Sequence, residues 1–256
     1  MNVNTYLQRI NYSGPLTPTA DTLRRLQMAH LLAVPFENLS IHWGEPIVLD
    51  EELLFDKIVR RGRGGFCYEL NGLFARLLRA LGFDVAMLSA AVNNEENGFG
   101  PEFDHMTLLV TNEERWLVDV GFGDCFLEPL RLDEHRPHEE GERAYRVDAN
   151  GESRVLHRRE GSGTWEAQYR FTLTPYEYVD YAEMCHYHQT SPQSHFTQRR
   201  VCSRATPDGR ITLSERRLII TTNGARHEQE LPDEAAVAAA LEEHFGIRPP
   251  SHEARS

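Results

Sequence analysis

The chain has 256 residues, 40% of them hydrophobic, and a formal net charge of −12 at pH 7; its mean hydropathy is −0.51. That length gives room for more than one compact unit and that composition for real cores, while the acidic balance argues against general nucleic-acid binding. The start from Met1 to Ile10 is polar and no apolar run approaches a membrane span, which points to a cytoplasmic protein.

Taken in chain order, residues 1–84 read as helical. Thr17 caps a helix with Pro18 at its first position, apolar residues recur through Leu32, and Pro35 ends it. A further helix follows Cys67: Leu70, Leu73, Phe74, Leu77, Leu78 and Leu81 fall at spacings of three and four, the period of a helix with one buried face. From residue 85 the pattern changes to alternation and turn residues. Strands are expected over 85–92, 105–110, 116–122, 145–147, 154–157 and 165–171, giving an antiparallel sheet or small barrel. A connecting helix is expected to begin at Thr174-Pro175 and to end near Ser191-Pro192. The last part holds strands around 196–203 and 217–222, turns at Pro207-Asp208-Gly209 and Asn223-Gly224, and a final helix over 232–245 with Gly246 after it. The fold class expected is α+β.

The run Arg63-Gly64-Gly65-Phe66-Cys67-Tyr68-Glu69-Leu70-Asn71 sets one cysteine at the mouth of the Cys67 helix. Unpaired backbone N–H groups and the positive end of the helix dipole favour a thiolate there. Gly64 and Gly65 would let the backbone turn tightly and leave the sulfur open. A free cysteine is more often a small buried hydrophobe, so these residues alone leave both readings open. A nucleophile also needs a base, held in place by a third group. His105 opens one strand, Asp119 lies on the next, and residues 112–114 form the break between them. With a three-residue loop, Thr111 facing Arg115, Asp119 pairs with Thr107, and His105 lies on the same face at a diagonal of roughly 7 Å. A two-residue loop would put the two on opposite faces. Asp119 sits between Val118 and Val120, where an unpaired carboxylate would be expensive to bury. His105 would satisfy it, with the free ring nitrogen left to take the proton of Cys67. The plain alternatives are a solvent-facing Asp119 and a structural His105.

Cys67, Cys125, Cys185 and Cys202 are irregularly spaced and too few for a disulfide scaffold, so they are expected to be reduced. Cys185, His186, His188, His195 and Cys202 are ligand types within eighteen positions. Cys185 and His186 are adjacent on a helix, however, so their side chains diverge, and no CxxC pair supports them; no metal site is expected. Between Arg199 and Arg226 stand seven arginines against Asp208 and Glu215, a stretch that could draw in phosphates or simply form a solvated face. Lys57 is the only lysine, which reads as a compositional bias.

Three further stretches complete a pattern: Pro35-Phe36-Glu37-Asn38-Leu39, Asp119-Val120-Gly121-Phe122-Gly123, and Gln189-Thr190-Ser191-Pro192-Gln193-Ser194-His195-Phe196. With the Cys67 run and the His105 strand they stand in the order and approximate spacing of the arylamine N-acetyltransferases, which the chain resembles from about Pro35 to Pro207. The resemblance implies an N-terminal helical bundle carrying the nucleophile (1–84), an antiparallel β-barrel with its connecting helix (85–190) and a C-terminal α/β lid (191–256), around a thiol-protease-like Cys-His-Asp core. It implies that Cys67, His105 and Asp119 form the catalytic triad. Gly121, Phe122 and Gly123 would line the acyl site, the two glycines admitting the coenzyme A thioester arm, and Tyr187, Gln193, Ser194 and His195 would lie near the cofactor cleft. Phe36, Phe66 and Phe122 are candidates for an apolar wall that holds the substrate's aromatic ring, or else ordinary core.

The activity implied is acetyl transfer from acetyl-coenzyme A to arylamines, arylhydrazines, hydrazides or N-hydroxyarylamines, by a two-step exchange through an acetyl-cysteine. Acetyl-coenzyme A is then a cosubstrate, with no permanently bound cofactor, no metal, and no nucleic-acid or membrane partner, in a monomer or homodimer. The backbone N–H of Cys67 is the first candidate to meet the oxyanion. The same triad would also serve a thiol hydrolase or an amide synthase.

Overall fold

Apolar spacing folds the first part of the chain into two helices of 14 residues each and several short ones. In the computed structural model, which describes residues 1–94, 97–134 and 136–250, α1 (Val3–Arg9), α2 (Ala20–Ala33) and α4 (Glu51–Phe55) share one core with α5 (Cys67–Ala80). The segment between α2 and α4 holds a two-residue strand, β1 (Phe36–Glu37), and a short helix, α3 (Leu39–Trp43). A π-helical turn over Asp56–Arg60 continues α4. The α2 cap is Thr19, whose Oγ1 accepts the Thr22 N–H at 3.2 Å, rather than the expected Thr17. α5 is buried nearly all round, since Tyr68, Glu69 and Asn71 are as inaccessible as Leu70, Leu73, Phe74, Leu77 and Leu78.

The middle of the chain is antiparallel throughout. Its strands are β2 (Asp84–Asn94), β3 (Gly98–Phe99), β4 (His105–Thr111), β5 (Arg115–Val118), β6 (Leu130–Arg131), β7 (His138–Glu140), β8 (Arg143–Asn150), β9 (Ser153–Glu160) and β10 (Glu166–Tyr176). They are ordered β6-β5-β4-β2-β10-β9-β8-β7 with β3 beside β2, and β6 comes up against β8, so that the sheet is a nearly closed barrel. Leu88, Leu117, Phe126, Tyr145, Leu156, Tyr169 and Phe171 belong to its buried core. The β4–β5 hairpin has the three-residue loop that the candidate triad required, with Thr111 opposite Arg115 and Leu108 opposite Val118. The expected strand over 116–122 stops at Val118, because the Asp119 carboxylate accepts the Gly121 N–H at 2.9 Å and turns the chain. Thr174-Pro175 does not start a helix. β10 runs on to Tyr176 past a register shift between Phe171 and Pro175, an irregularity that tolerates a proline without a ladder N–H. A 3₁₀ turn (Tyr178–Tyr181) then leads into α6 (Ala182–Thr190).

After α6, α7 (His195–Gln198) takes the first half of the expected strand over 196–203, because the Ser194 Oγ caps the Phe196 N–H at 3.2 Å. β11 (Val201–Thr206), β12 (Gly209–Ser214), β13 (Arg217–Thr222) and β14 (Ala225–Glu230) form a meander, and β1 adds to its β11 edge. α8 (Glu234–Phe245) closes a separate core over this sheet and ends at Gly246, whose φ of +68° is a left-handed cap. β1 is the seam of the molecule. It pairs Phe36 with Ser203 and Glu37 with Cys202, while the Glu37 N–H reaches the Gly65 carbonyl at 2.9 Å, two residues before Cys67. Asn38 extends the seam by donating to the Phe196 and Arg199 carbonyls and accepting from the Val201 N–H.

Candidate active site

Cys67 is the first residue of α5, and the start of that helix rests on a buried cluster of charges. Glu37 and Glu69 are fully inaccessible, and Lys57 and Arg63 are each 7% exposed. Lys57 Nζ lies 2.7 Å from Glu69 Oε1 and 4.0 Å from Glu37 Oε1, and Arg63 binds Glu37 at 2.8 Å. Glu69 turns its other oxygen back to accept the Phe66 N–H at 3.1 Å, which holds the helix start. Burial pushes the Glu69 carboxyl up against the pull of Lys57. Burial would raise Glu37 as well, but Lys57, Arg63 and the Leu39 N–H outweigh it and hold that carboxyl low. The two glycines before Phe66 are there for space rather than for an unusual turn. A Cβ on Gly64 would sit 1.9 Å from the Pro35 carbonyl oxygen, and one on Gly65 would sit 2.6 Å from Glu69 Oε2.

On the barrel side, His105 begins β4 and Asp119 follows β5. His105 Nε2 lies 2.7 Å from Asp119 Oδ2, with the two residues 3% and 1% exposed. Every acceptor position of the carboxylate is used: the Tyr169 hydroxyl donates to Oδ2 at 3.0 Å, and Asn71 Nδ2 and the Gly121 N–H each donate to Oδ1 at 2.9 Å. Burial would raise Asp119, but the His105 ring, Asn71 and the Gly121 N–H hold it below the ordinary carboxylate range. Asn71 joins this pair to the cysteine helix. One turn after Cys67, it also donates to the Met106 carbonyl at 2.6 Å and accepts the Val120 N–H at 2.9 Å. Gly121 lies against Cys67 so closely that a Cβ there would be 2.7 Å from the Cys67 Cα. The Met106 N–H, next after His105, points to the Cys67 sulfur.

Cys67 is 3% exposed, and burial pushes its thiol well above the ordinary value. The Met106 N–H pulls it down, while Asp104, Asp119 and Cys185 push it further up. A free-standing thiolate, expected from the helix terminus alone, is therefore disfavoured; the anion needs a cation beside it. Because Nε2 is committed to Asp119, His105 Nδ1 is the ring nitrogen left for that task.

The remaining expected site residues divide into two groups. Phe122 meets the His105 ring edge-on with centroids 5.1 Å apart and lies on the barrel side. Phe36 and Phe66 pack on Phe196 with centroids 6.2 and 5.6 Å away. Phe36 is partly accessible and Phe66 fully buried, so Phe66 backs the wall rather than facing solvent. Gly123 has a φ of +92° and a Cβ position 3.5 Å from the Phe36 ring. Tyr187, Gln193 and His195 are exposed on the α6–α7 segment, whereas Ser194 is buried and bonded to His188 at 3.1 Å. Asn71, Tyr169, Gln27 and Phe196 were not foreseen; Gln27 Oε1 accepts the Asp119 N–H at 3.3 Å. Asn71 alone carried a signal, its place one helical turn after Cys67.

Among the described residues no group of three or more His, Cys, Asp and Glu side chains is placed to hold a metal ion, and no helix is long and apolar enough to cross a membrane. All four cysteines are free. The arginines of β11–β14 are dispersed. Arg200 pairs with Glu234, Arg210 with Asp124 and Arg217 with Glu228, and Arg204 bonds backbone carbonyls. A cavity of about 730 Å³ beside Asp124 and Cys125 contains Arg143, Arg210 and Arg226 but also five carboxylates, so it offers no positive surplus to phosphates. A smaller cavity of about 500 Å³ between α2 and the barrel, bordered by Arg24, Trp116 and Tyr145, contains none of the candidate site residues.

A family model described as N-acetyltransferase matches residues 19–252. The class defined by this match and by the fold is that of acyltransferases. The arylamine N-acetyltransferase of Escherichia coli K12 is 36% identical over 253 residues, which cover 96% of this chain and 88% of that protein. The structure of the Salmonella typhimurium arylamine N-acetyltransferase superposes with a TM-score of 0.91 at 32% identity, covering 98% of this chain and 93% of the other. That of the Mycobacterium marinum enzyme, solved in complex with CoA, gives 0.89 at 36% identity over 96% and 93% of the two chains. The chain belongs to the arylamine N-acetyltransferase family.

Proposed function

We propose that this protein moves an acetyl group from acetyl-coenzyme A to the nitrogen of an aromatic amine or hydrazine, or to the oxygen of an N-hydroxyarylamine, by way of an acetyl thioester on Cys67. The observation that carries the reading is the buried His105–Asp119 bond of 2.7 Å, tied by Asn71 to the first turn of the Cys67 helix. Asp119 takes Nε2 and holds the ring, which leaves Nδ1 to serve the sulfur. In the first half-reaction the thiol proton passes to Nδ1, the sulfur attacks the thioester carbonyl, and the departing coenzyme A sulfur takes the proton back from the imidazolium. In the second, the amine attacks the acetyl-cysteine, its surplus proton goes to the imidazole, and the Cys67 sulfur leaves as the new amide forms. The thiolate thus exists only opposite a charged His105, which offsets the burial that disfavours it. The N–H of Cys67, at the open end of the helix, is the donor for the oxyanion. Phe122 beside His105, together with the Phe36–Phe196 pair, supplies the apolar faces for an aromatic acceptor.

The test is acetyl-coenzyme A in the absence of amine. The peptide containing Cys67 should become acetylated, an added arylamine should remove the label, and Cys67→Ala should lose both label and turnover. Label on Cys125, Cys185 or Cys202 would overturn the assignment. Coenzyme A release at the same steady rate with and without amine would show a hydrolase instead.

A further inference from the structure

A second histidine–carboxylate pair stands in the wall of the same site. His188, on α6, is buried; its ring stacks on Tyr68 with centroids 6.1 Å apart and meets Phe196 edge-on at 5.1 Å. Nδ1 lies 3.1 Å from Ser194 Oγ, and Nε2 lies 3.2 Å from Asp104 Oδ1. Ser194 Oγ already accepts the Phe196 N–H, so its hydroxyl proton is free to go to Nδ1, and the ring's own proton then sits on Nε2 facing the carboxylate. The Nε2 contact lies off the hydrogen-bond line and acts as a charge–dipole contact. The other oxygen of Asp104 lies over Gly100, 3.0 Å from where a Cβ would stand. Asp104 immediately precedes His105, and the Tyr68 hydroxyl, next to Cys67, donates to the Phe103 and Asp104 carbonyls at 2.7 and 3.2 Å. The backbone that carries the carboxylate is thereby tied to the residue after the nucleophile, yet the acetyl transfer uses neither His188 nor Asp104.

We propose that His188 is a positioning residue for the nucleophile: it holds one oxygen of the Asp104 carboxylate against its own ring, which limits how far that charge opposes proton transfer from Cys67 to His105. The inference rests on Cys67 being the nucleophile. The groups that face the sulfur are few enough to isolate this effect. β4 contributes the Met106 N–H beside His105, the proposed base; the turn after β5 contributes Asp119, and α6 contributes the Cys185 thiol, pushed up to about 12 chiefly by burial. The phenols of Tyr68, Tyr178 and Tyr181 are kept un-ionised by burial. Glu69 is neutralised by Lys57, and Glu102, on the same turn as Asp104, is engaged by Ser89 and Arg170. Asp119 is matched by His105, which leaves Asp104 as the carboxylate whose orientation depends on His188.

The experiment is the pH profile of Cys67 alkylation, with the site read by peptide mapping, in wild type, His188→Leu, Asp104→Asn and the double variant. His188→Leu should move the onset upward by about one pH unit, the effect of a like charge released nearby. Asp104→Asn should not move it upward, and the double variant should match Asp104→Asn, because without the carboxylate His188 has nothing to hold. An unchanged profile for His188→Leu, or an upward shift that persists in the double variant, would overturn the proposal. Failure of Cys67 to be the residue alkylated in wild type would instead overturn the acetyl-transfer assignment.

Discussion

Lys57 is the only lysine in the chain, and it stands under the first turn of α5 with Glu69 at 2.7 Å and Glu37 at 4.0 Å. Replacing it with methionine keeps the volume and removes one of the two cations that face two buried carboxylates. Breaking such a pair by deleting one partner costs about 3–5 kcal/mol. For a chain of this length each kcal/mol moves the melting temperature by about 2–4 °C, so a fall on the order of 10 °C is expected. The pH dependence has a definite sign. Burial already raises the Glu69 carboxyl above its unfolded value, and loss of Lys57 raises it further. The folded protein then binds more protons than the unfolded chain, so the stability of Lys57→Met decreases as pH rises from about 4.3 toward the folded value. Unfolding by urea should therefore show the smallest gap from wild type near about pH 5 and the widest near about pH 8. Adding Glu69→Gln removes the surplus charge while keeping an acceptor for the Phe66 N–H, and should recover most of the loss. A gap under about 1 kcal/mol at the higher pH, a gap that does not change with pH, or no recovery in the double variant would refute the reasoning.

The parts of this fold that could be read in advance were those in which local pattern and burial agree. The stripe from Leu70 to Leu81 gave α5, and the polar break over 112–114 narrowed the hairpin to two registers, of which the structure has the three-residue loop that the triad required. What escaped depended on partners far along the chain. Gln27 and Tyr169 reach Asp119 from α2 and β10 and follow no local period. Gly64 suggests conformational freedom when read alone, but it leaves room for the Pro35 carbonyl, and Gly121, expected to admit the thioester arm, leaves room for the Cys67 backbone. The lone lysine looked like composition until Glu37 and Glu69 were seen to converge on it. β14 escaped for the opposite reason: all six of its residues are exposed, so there was no apolar alternation to find.

Two further expectations concern the pair on the barrel side. Asp119→Asn can keep the bond from Asn71 on its one remaining oxygen, but it places an NH2 where the carboxylate met His105 and the Tyr169 hydroxyl, withdraws the charge opposite His105 and favours the wrong ring tautomer. Loss of kcat/KM with an arylamine should be on the order of 10³-fold or more, and a variant within about tenfold of wild type would make Asp119 structural. His105→Gln tests what ionises Cys67. From the helix terminus alone, removing the imidazole should return the thiol to the free-cysteine range near roughly 8.5. The structure demands more, because burial, Cys185 and the carboxylates of Asp104 and Asp119 push the thiol up, with the Met106 N–H working against them. The onset of Cys67 alkylation in His105→Gln should therefore lie above that of a free cysteine, while in wild type it should lie below. If the two profiles superimpose, His105 contributes nothing to the thiolate, and the cation that offsets the burial of Cys67 must come from another residue.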